Sequence, residues 1–321
     1  MSTATNNAVE EFVHPALLYR DDEEYLAGTI PFIRDGLNAG EPVAVAVPGP
    51  NLQLIQAALG SDAQRVLLRD MTVAGRNPGR IIPTVLLAFA NAHSGRRVRL
   101  IGEPIWSGRT VVEYPACAQH EALINAAFAG RSATILCPYN TALLDPAWVL
   151  DAHKTHPVML DASGDFTSAH YDDPVATAFS FNQPMPDPPA DAASITVDLH
   201  NLAAVRRFVA EHADRAGLPS QRVDHATLAV TELATNAVRH GGGTGKLAIW
   251  ADSDNLICQL TDRGHLTDPL AGRIPVSTDA LHGGRGLLLV NLLCDLVRVH
   301  TAPTGTTTRI YLHRQPVDEH R

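Results

Sequence analysis

A carboxylate and an amide lie one helical turn apart in the second half of the chain. Glu232 and Asn236 are separated by four residues within the run TELATNAVRH at 231–240, so on a helix they project from one face. A carboxylate can act as a general base, and an amide oxygen is a hard ligand of the kind that Mg²⁺ takes beside phosphates and waters. The pair therefore suits a nucleotide with its metal.

Two short glycine-containing motifs follow the pair. Asp262-Arg263-Gly264 comes directly after the apolar run 256–260, and Gly283-Gly284-Arg285-Gly286 opens the apolar segment 287–292. A glycine-rich loop brings backbone N–H groups close to phosphate, and a following helix N-terminus favours negative charge. Each motif alone is as often a surface helix or a turn. Their order within one compact segment is what predicts a nucleotide site.

This ordered set resembles the GHKL ATPase superfamily, the Bergerat-fold group that includes gyrase, histidine kinases and anti-sigma-factor serine kinases. Glu232 and Asn236 match its N box, Asp262 and Gly264 its first glycine box, and Gly284 and Gly286 its second. The run Gly305-Thr306-Thr307-Thr308, followed by 309–312, is similar to the threonine-bearing strand that closes the pocket in this family.

The resemblance implies ATP and Mg²⁺ as cofactors and a role for each matching residue. Glu232 is expected to be the catalytic base and Asn236 the metal ligand. Asp262 would accept from the adenine amino group, and Gly264 would let the backbone approach the ring. Gly284 and Gly286 would cradle the phosphates through their backbone N–H groups, and Thr307 or Thr308 would contact adenine or a bridging water. The last candidates are either phosphate neighbours or solvated surface residues: Arg239, His240 and Arg285.

Composition narrows the class of protein. The 321 residues are 45% hydrophobic and 18% charged, with a formal net charge of −9. An acidic chain is poorly suited to direct DNA binding, which needs a basic surface. No apolar run approaches a membrane span, and the first residues lack the pattern of a signal peptide. Four scattered cysteines form no disulfide framework. A cytoplasmic protein is predicted.

A proline-rich stretch divides the chain. Four prolines fall within six residues at 184–189, which forbids helix and central strand and predicts an extended linker over 181–194. The second domain, predicted over 195–315, has an amphipathic helix at 202–216, the N-box helix at about 220–240 and four later strands. This pattern predicts an α+β sandwich, with helices on one face of a mostly antiparallel sheet.

The first half alternates short apolar runs with helical segments. The runs 43–47, 66–68, 98–102 and 133–137 are mostly continuous, which is typical of buried parallel strands covered by helices on both faces. A doubly wound α/β domain is predicted over 10–180. After the first of these runs, where a phosphate-binding loop would sit, the Lys-Ser/Thr pair of an active loop is missing.

Several fragments of this half resemble the MEDS sensory domain, a RecA-like module without a working Walker motif that is proposed to detect small molecules. The resemblance spans most of residues 12–160 and is carried by HPALLY (14–19), GRNP (75–78), GEPIW (102–106), CAQHE (117–121) and CPY (137–139). It implies a RecA-like parallel sheet with a degenerate P-loop and an unknown small-molecule signal.

Five residues of this half are candidates for sensing, namely His14, Glu103, Cys117, His120 and Cys137. Cys117 and His120, three apart, would share a helix face and could bind a metal or a ligand. The alternatives are that the cysteines are small core residues and His120 a hydrogen-bonded core histidine. Glu103 directly follows a buried strand, at the sheet edge where ligands dock, or it caps a turn. Cys258 and Cys294 are expected to be core residues.

The family alone does not fix the reaction. No heptad pattern for the dimerising hairpin of a histidine kinase precedes residue 195. A lone domain behind a sensor looks instead like the anti-sigma-factor serine/threonine kinases, which sequester a sigma factor or phosphorylate an antagonist protein in signal transduction and transcription regulation. The other candidate function is a ligand-gated module that holds nucleotide without phosphotransfer. The sensor would act through docking of the domains or of two protomers in a homodimer.

Overall fold

The structure, a computed structural model, describes residues 12–275 and 285–315. The chain forms two compact units. Unit 1 contains the described residues up to Ala74, together with Thr84–Arg109 and Glu121–Thr177; unit 2 contains Gly75–Pro83, Thr110–His120 and the described residues from Ala178 onward. Two segments of the predicted first domain, 75–83 and 110–120, therefore cluster with the second unit.

A seven-stranded sheet forms the centre of unit 1. Its strands lie in the order β3-β2-β4-β5-β1-β6-β7. The six strands from β3 to β6 pair in parallel, and β7 is antiparallel to β6. The strands are β1 (Pro15–Tyr19), β2 (Val43–Val47), β3 (Val66–Asp70), β4 (Val98–Gly102), β5 (Ala133–Asn140), β6 (Val158–Asp161) and β7 (Gly164–Thr167).

Helices follow most of these strands, as a parallel sheet requires. The helices of the first half of the chain are α1 (Asp22–Asn38), α2 (Gly49–Leu59), α3 (Met71–Ala74), α4 (Leu87–Ala92), α5 (Tyr114–Ala127), α6 (Pro146–Thr155) and α7 (Pro174–Ser180). The predicted parallel sheet is confirmed. The pattern missed β1, which inserts between β5 and β6, and the RecA-like relationship stays a prediction. Pro48 is the one residue between β2 and α2, so the connection after that strand is very short.

Unit 2 is built on a five-stranded antiparallel sheet in the order β11-β12-β10-β9-β8. Its strands are β8 (Ala193–Asp198), β9 (Thr244–Ala251), β10 (Asn255–Asp262), β11 (Leu296–Ala302) and β12 (Gly305–His313), and its helices are α8 (Leu202–Arg215), α9 (Ser220–His240) and α10 (Arg285–Leu293). Apolar side chains from the helices and from the sheet form one core. The predicted α+β sandwich is confirmed.

Two segments outside the sandwich are fixed to it within unit 2. In the predicted linker, Asn182 donates through Nδ2 to the Thr301 carbonyl at 2.6 Å, and Arg309 donates to the Pro186 carbonyl. In the segment 75–83, Asn77 donates through Nδ2 to the Asn291 carbonyl at 2.8 Å. The proline-rich stretch therefore lies along β11 and β12, and α10 is held by a residue more than 200 positions earlier in the chain.

Candidate functional site

Helix α9 presents the carboxylate–amide pair. Pro219 directly precedes the helix, where its missing N–H costs nothing, and the chain turns at Gly241. The side chains of Val230, Leu233 and Ala237 are buried in the core, which fixes the rotation of the helix. Glu232 and Asn236 are consequently half-buried at the edge of that face.

Gly286, in the first turn of α10, approaches this pair closely. A Cβ placed on Gly286 would lie 2.7 Å from Oε2 of Glu232 and 3.7 Å from Nδ2 of Asn236. A side chain here would push the flexible end of Glu232 aside, so glycine is what lets the carboxylate lie this close to the start of α10. The structure thus brings the predicted N box and the second glycine box together.

Asp262, the last residue of β10, lies against the end of α9. Its Oδ1 accepts a hydrogen bond from the backbone N–H of Gly264 at 2.7 Å. A Cβ on Gly264 would lie 2.6 Å from the His240 carbonyl oxygen, and one on Gly241 would lie 2.5 Å from the Asp262 carboxyl carbon. Glycine at both positions therefore lets the chain bring Asp262 beside the helix end.

Strand β12, which is rich in threonine, pairs with β10 and forms another wall of the site. Asp262 pairs with Thr306 and Leu260 with Thr308. Thr306 donates through its hydroxyl to the Gly264 carbonyl at 2.8 Å. Thr307, between them, directs its hydroxyl to Thr261, 3.2 Å away, at the exposed surface. Thr308 thus lies on the side of the strand that faces the site and Thr307 on the other.

These elements enclose an open cavity of about 310 Å³, within the usual size range of ligand pockets. Its polar lining comes from Asn236, His240, Asp262, His265, Thr306 and Thr308. Its apolar walls come from Leu233, Leu260, Leu266, Ala271, Leu287 and Val299, and its glycines are Gly241, Gly264, Gly272 and Gly286. Glycine-lined backbone, apolar walls and one carboxylate at the end suit a flat base followed by phosphates.

Of the remaining candidate residues, some line the cavity and others do not. His240 lines the cavity together with His265. Arg239 and Arg285 are exposed, and neither lines the cavity. Gly284 falls outside the described residues. The predicted set omitted Thr306, although residues two apart on a strand share a face. That alternation, applied to 306–308, would have selected Thr306 with Thr308 rather than Thr307 with Thr308.

In unit 1, Glu103 is buried among hydrogen-bond donors. Asn51 donates through Nδ2 to Oε2 at 2.8 Å, and the hydroxyls of Tyr19 and Tyr25 donate at 3.0 and 3.4 Å. Burial raises the pKa of Glu103 to about 7 although all three donors favour the ionised form. Tyr19 ends β1 and Glu103 directly follows β4, whereas Tyr25 and Asn51 lie in the first turns of α1 and α2. Its side chain does not act as a simple turn cap.

His14 and Cys137 meet at a second buried position in unit 1. Nε2 of His14 lies 3.3 Å from Sγ of Cys137, and two further residues, Glu121 and His156, adjoin them. Burial and the nearby His156 lower the pKa of His14 to about 4. Burial opposes ionisation of Glu121, but the two histidines hold the pKa of that carboxyl well below its usual range.

Cys117 and His120 are not part of this group. Among the described residues, the side chains whose ligand atoms converge closely enough for a metal are His14, Glu121, Cys137 and His156. The expectation that Cys117 and His120 could bind a metal or a ligand stays a prediction. Spacing of three places two residues on one helix face, but a metal site also needs further ligands converging on the same point.

Comparison with known families assigns a domain family to each half of the chain. Residues 13–157 match the MEDS family, described as the methanogen/methylotroph DcmR sensory domain. Residues 195–312 match the histidine kinase-like ATPase domain. The chain joins a MEDS-type sensory domain to a GHKL ATPase domain. Both resemblances seen in the sequence are confirmed, and the cavity described above lies within the GHKL domain.

Curated proteins and solved structures give less information about this chain than the family models do. No match was found among curated proteins. A solved structure of the RsbU and RsbW domains of a Mycobacterium tuberculosis protein is similar, with 21% identity and a TM-score of 0.30, over 40% of this chain and 34% of that chain. The match thus spans about a third of that protein's length. In the described part of the chain, no helix has the length and apolar character needed to cross a membrane.

Proposed function

We propose that this protein is a signal-responsive, cytoplasmic regulator of the anti-sigma-factor type, whose GHKL domain binds ATP–Mg²⁺ and phosphorylates an antagonist protein on Ser or Thr or sequesters a sigma factor. The observation that carries the proposal is that Asn236, Asp262 and Gly286 line one cavity, with the Glu232 carboxylate directly beside Gly286. Neither a surface helix nor a structural turn requires that arrangement.

The residues at the site fit the nucleotide and its metal. Gly286 leaves room beside Glu232 and Asn236 that any side chain would fill, and the side-chain oxygen of Asn236 is a ligand of the type Mg²⁺ takes. Asn236 would hold the metal, and backbone N–H groups at the start of α10 would contact phosphate. When bound, ATP–Mg²⁺ supplies the phosphoryl group and neutralises its charge.

Recognition of the base would depend on Asp262. One of its carboxylate oxygens already accepts from the Gly264 backbone, which orients the group and leaves the other oxygen available. That oxygen would accept from the adenine amino group. Guanine presents a carbonyl oxygen at the same place, so a carboxylate there would face an unpaired acceptor and reject GTP. Thr308 and Thr306 supply hydroxyls on the same wall.

Glu232 has the position of a general base. Its Oε2 lies beside Gly286 rather than within the cavity lining, so it would meet a hydroxyl entering next to the phosphates. There it would hold the proton released by the Ser or Thr of the partner and orient the oxygen for attack. The presence of a carboxylate at this place favours phosphotransfer over a second candidate function, a ligand-gated module that only holds nucleotide.

The deciding experiment compares Glu232→Gln with wild type, using labelled ATP, Mg²⁺ and candidate antagonist proteins. The change is nearly isosteric, so nucleotide affinity should stay within about threefold while phosphotransfer falls by about 10²–10⁴. Glu211→Gln, at an exposed position on α8, serves as the matched control and should transfer at the wild-type rate. Transfer by Glu232→Gln at the wild-type rate would contradict the role of Glu232. Nucleotide binding without transfer by wild type would favour the binding module.

A further inference from the structure

We infer that His14, Glu121, Cys137 and His156 form a site for one divalent transition-metal ion, with zinc as the best fit, buried in the sensory half of the chain. This goes beyond the proposed ATP-dependent function, which does not use these residues. All four lie within unit 1, and each side chain is at most 1% exposed. Their ligand atoms all lie within 4.8 Å of one another.

Three of the distances between ligand atoms are close to those around a tetrahedral metal. Oε2 of Glu121 lies 3.1 Å from Nε2 of His156 and 3.5 Å from Nε2 of His14, and Sγ of Cys137 lies 3.3 Å from the latter. Zinc bonds of about 2.0–2.3 Å at tetrahedral angles place neighbouring ligand atoms roughly 3.3–3.6 Å apart. Imidazole, thiolate and carboxylate are also the ligand types that zinc takes.

The outer nitrogens of both histidines are already engaged, which leaves the inner ones as ligands. Nδ1 of His156 lies 3.0 Å from the Ala152 carbonyl and 2.9 Å from the Thr155 hydroxyl, and the tautomer that donates to the carbonyl has its lone pair on Nε2. Nδ1 of His14 lies 3.2 Å from Oδ1 of Asn125. Asn125 is oriented in turn, because its Nδ2 donates to the Thr155 carbonyl at 2.8 Å. Such outer hydrogen bonds are typical of metal-binding histidines.

With these tautomers, neither histidine donates a hydrogen to Glu121, and the Cys137 thiol beside His14 carries the proton nearest the centre of the cluster. Within the described chain, neither carboxylate oxygen of Glu121 nor Nε2 of His156 has a hydrogen-bond partner, although the groups lie in contact. A buried ionised carboxylate facing lone pairs is costly unless a positive charge compensates it. A divalent cation with one thiolate, one carboxylate and two neutral imidazoles would be electrically balanced, with the thiol proton released on binding.

The test uses the full-length protein and two probes, Zn²⁺ and Co²⁺. Protein purified without chelator should contain about one equivalent of zinc by mass spectrometry of the metal. Metal-free protein titrated with Co²⁺ should show tetrahedral absorption bands and a thiolate-to-cobalt band that saturates at one equivalent. Because the ATP site contains no cysteine, the thiolate band is a readout that the proposed ATPase function cannot produce or remove.

Variants assign the signal to the cluster. Cys137→Ser should abolish the thiolate band, and His156→Gln should weaken Co²⁺ binding by at least about tenfold. Asn125→Leu, which removes the outer hydrogen bond to His14 together with the bonds from Nδ2 to the Thr155 and Ala122 carbonyls, should weaken it by about tenfold. Cys258→Ser is the matched control, since Cys258 is also a buried free cysteine but lies in the core of unit 2; it should bind like wild type.

Two results would overturn the site. The first is folded wild-type protein that holds no zinc and gives no thiolate band with Co²⁺, which would mean that a shared proton alone joins the histidines to Glu121. The second is loss of the band in Cys258→Ser with its retention in Cys137→Ser. Should Cys137→Ser fail to fold, as judged by circular dichroism, the wild-type titration and Asn125→Leu still decide.

Discussion

The buried polar clusters of unit 1 and the open cavity of unit 2 use polar residues in opposite ways. In unit 1, Glu103 and the His14–Glu121 group are withdrawn from water; Glu103 lies among hydrogen-bond donors, whereas the Glu121 carboxylate has no hydrogen-bond partner in the described chain. In unit 2, Glu232 and Asn236 are half-buried beside glycines that leave space. The first arrangement tunes protonation and ligand geometry; the second leaves room for a large, exchangeable ligand.

The difference between the two units predicts that pH changes the free energy of unfolding through a buried group in unit 1. Burial raises the pKa of Glu103 from 4.5 to about 7, so the folded state keeps a proton that the unfolded state loses first. The free energy of unfolding contributed by this group is therefore fully present below pH 4.5 and decreases as pH rises to about 7. Between pH 5 and 8, wild type should lose about 2 kcal/mol relative to Glu103→Gln.

Urea unfolding at pH 5 and pH 8 measures this difference. Groups other than Glu103 titrate equally in wild type and variant and cancel in the comparison. Parallel pH profiles for wild type and Glu103→Gln would show that the Glu103 cluster is solvated.

The second prediction concerns ligand binding in unit 2. Asn236→Ala should weaken Mg²⁺-dependent ATP binding more than tenfold, about 1.4 kcal/mol or more, because it removes the proposed metal ligand. Stability without nucleotide should change little, since alanine is favourable in a helix. Calorimetry with and without Mg²⁺ measures both affinities. Gln221→Ala, an exposed change in the same helix, should bind normally, and an unchanged Asn236→Ala affinity would remove Asn236 from the site.

The third and smallest effect separates two neighbouring threonines. Thr308 lines the cavity, whereas Thr307 directs its hydroxyl to Thr261 on the other face. Thr308→Val should weaken ATP binding about fivefold, the loss of roughly one hydrogen bond. Thr307→Val, an identical change one residue away, should stay within about twofold. The reverse order in a fluorescent-nucleotide titration would place Thr307, not Thr308, against the base.

Much of the fold follows from local pattern. Helix α9 spans Ser220–His240, as the apolar spacing and the flanking proline and glycine predict. Strands β2 and β4 also have the predicted limits. The residues that define the GHKL site lie within short motifs whose spacing is set by one helix or one strand, so their type and order alone predicted the site. The prediction did not use the alternation of side chains along a strand to choose one face of β12, and it therefore included Thr307.

What only the tertiary structure decided is the meeting of residues distant in the chain. His14 and Cys137 are 123 positions apart; Glu121 ends one of the fragments that carry the MEDS resemblance but was not a candidate, and His156 belongs to none of them. Their convergence depends on β1 entering the sheet between β5 and β6, which no local spacing encodes. The sequence by itself determined the two domain families and the ATP-site motifs, because these are local; packing decided the buried cluster, because its four ligands share no segment.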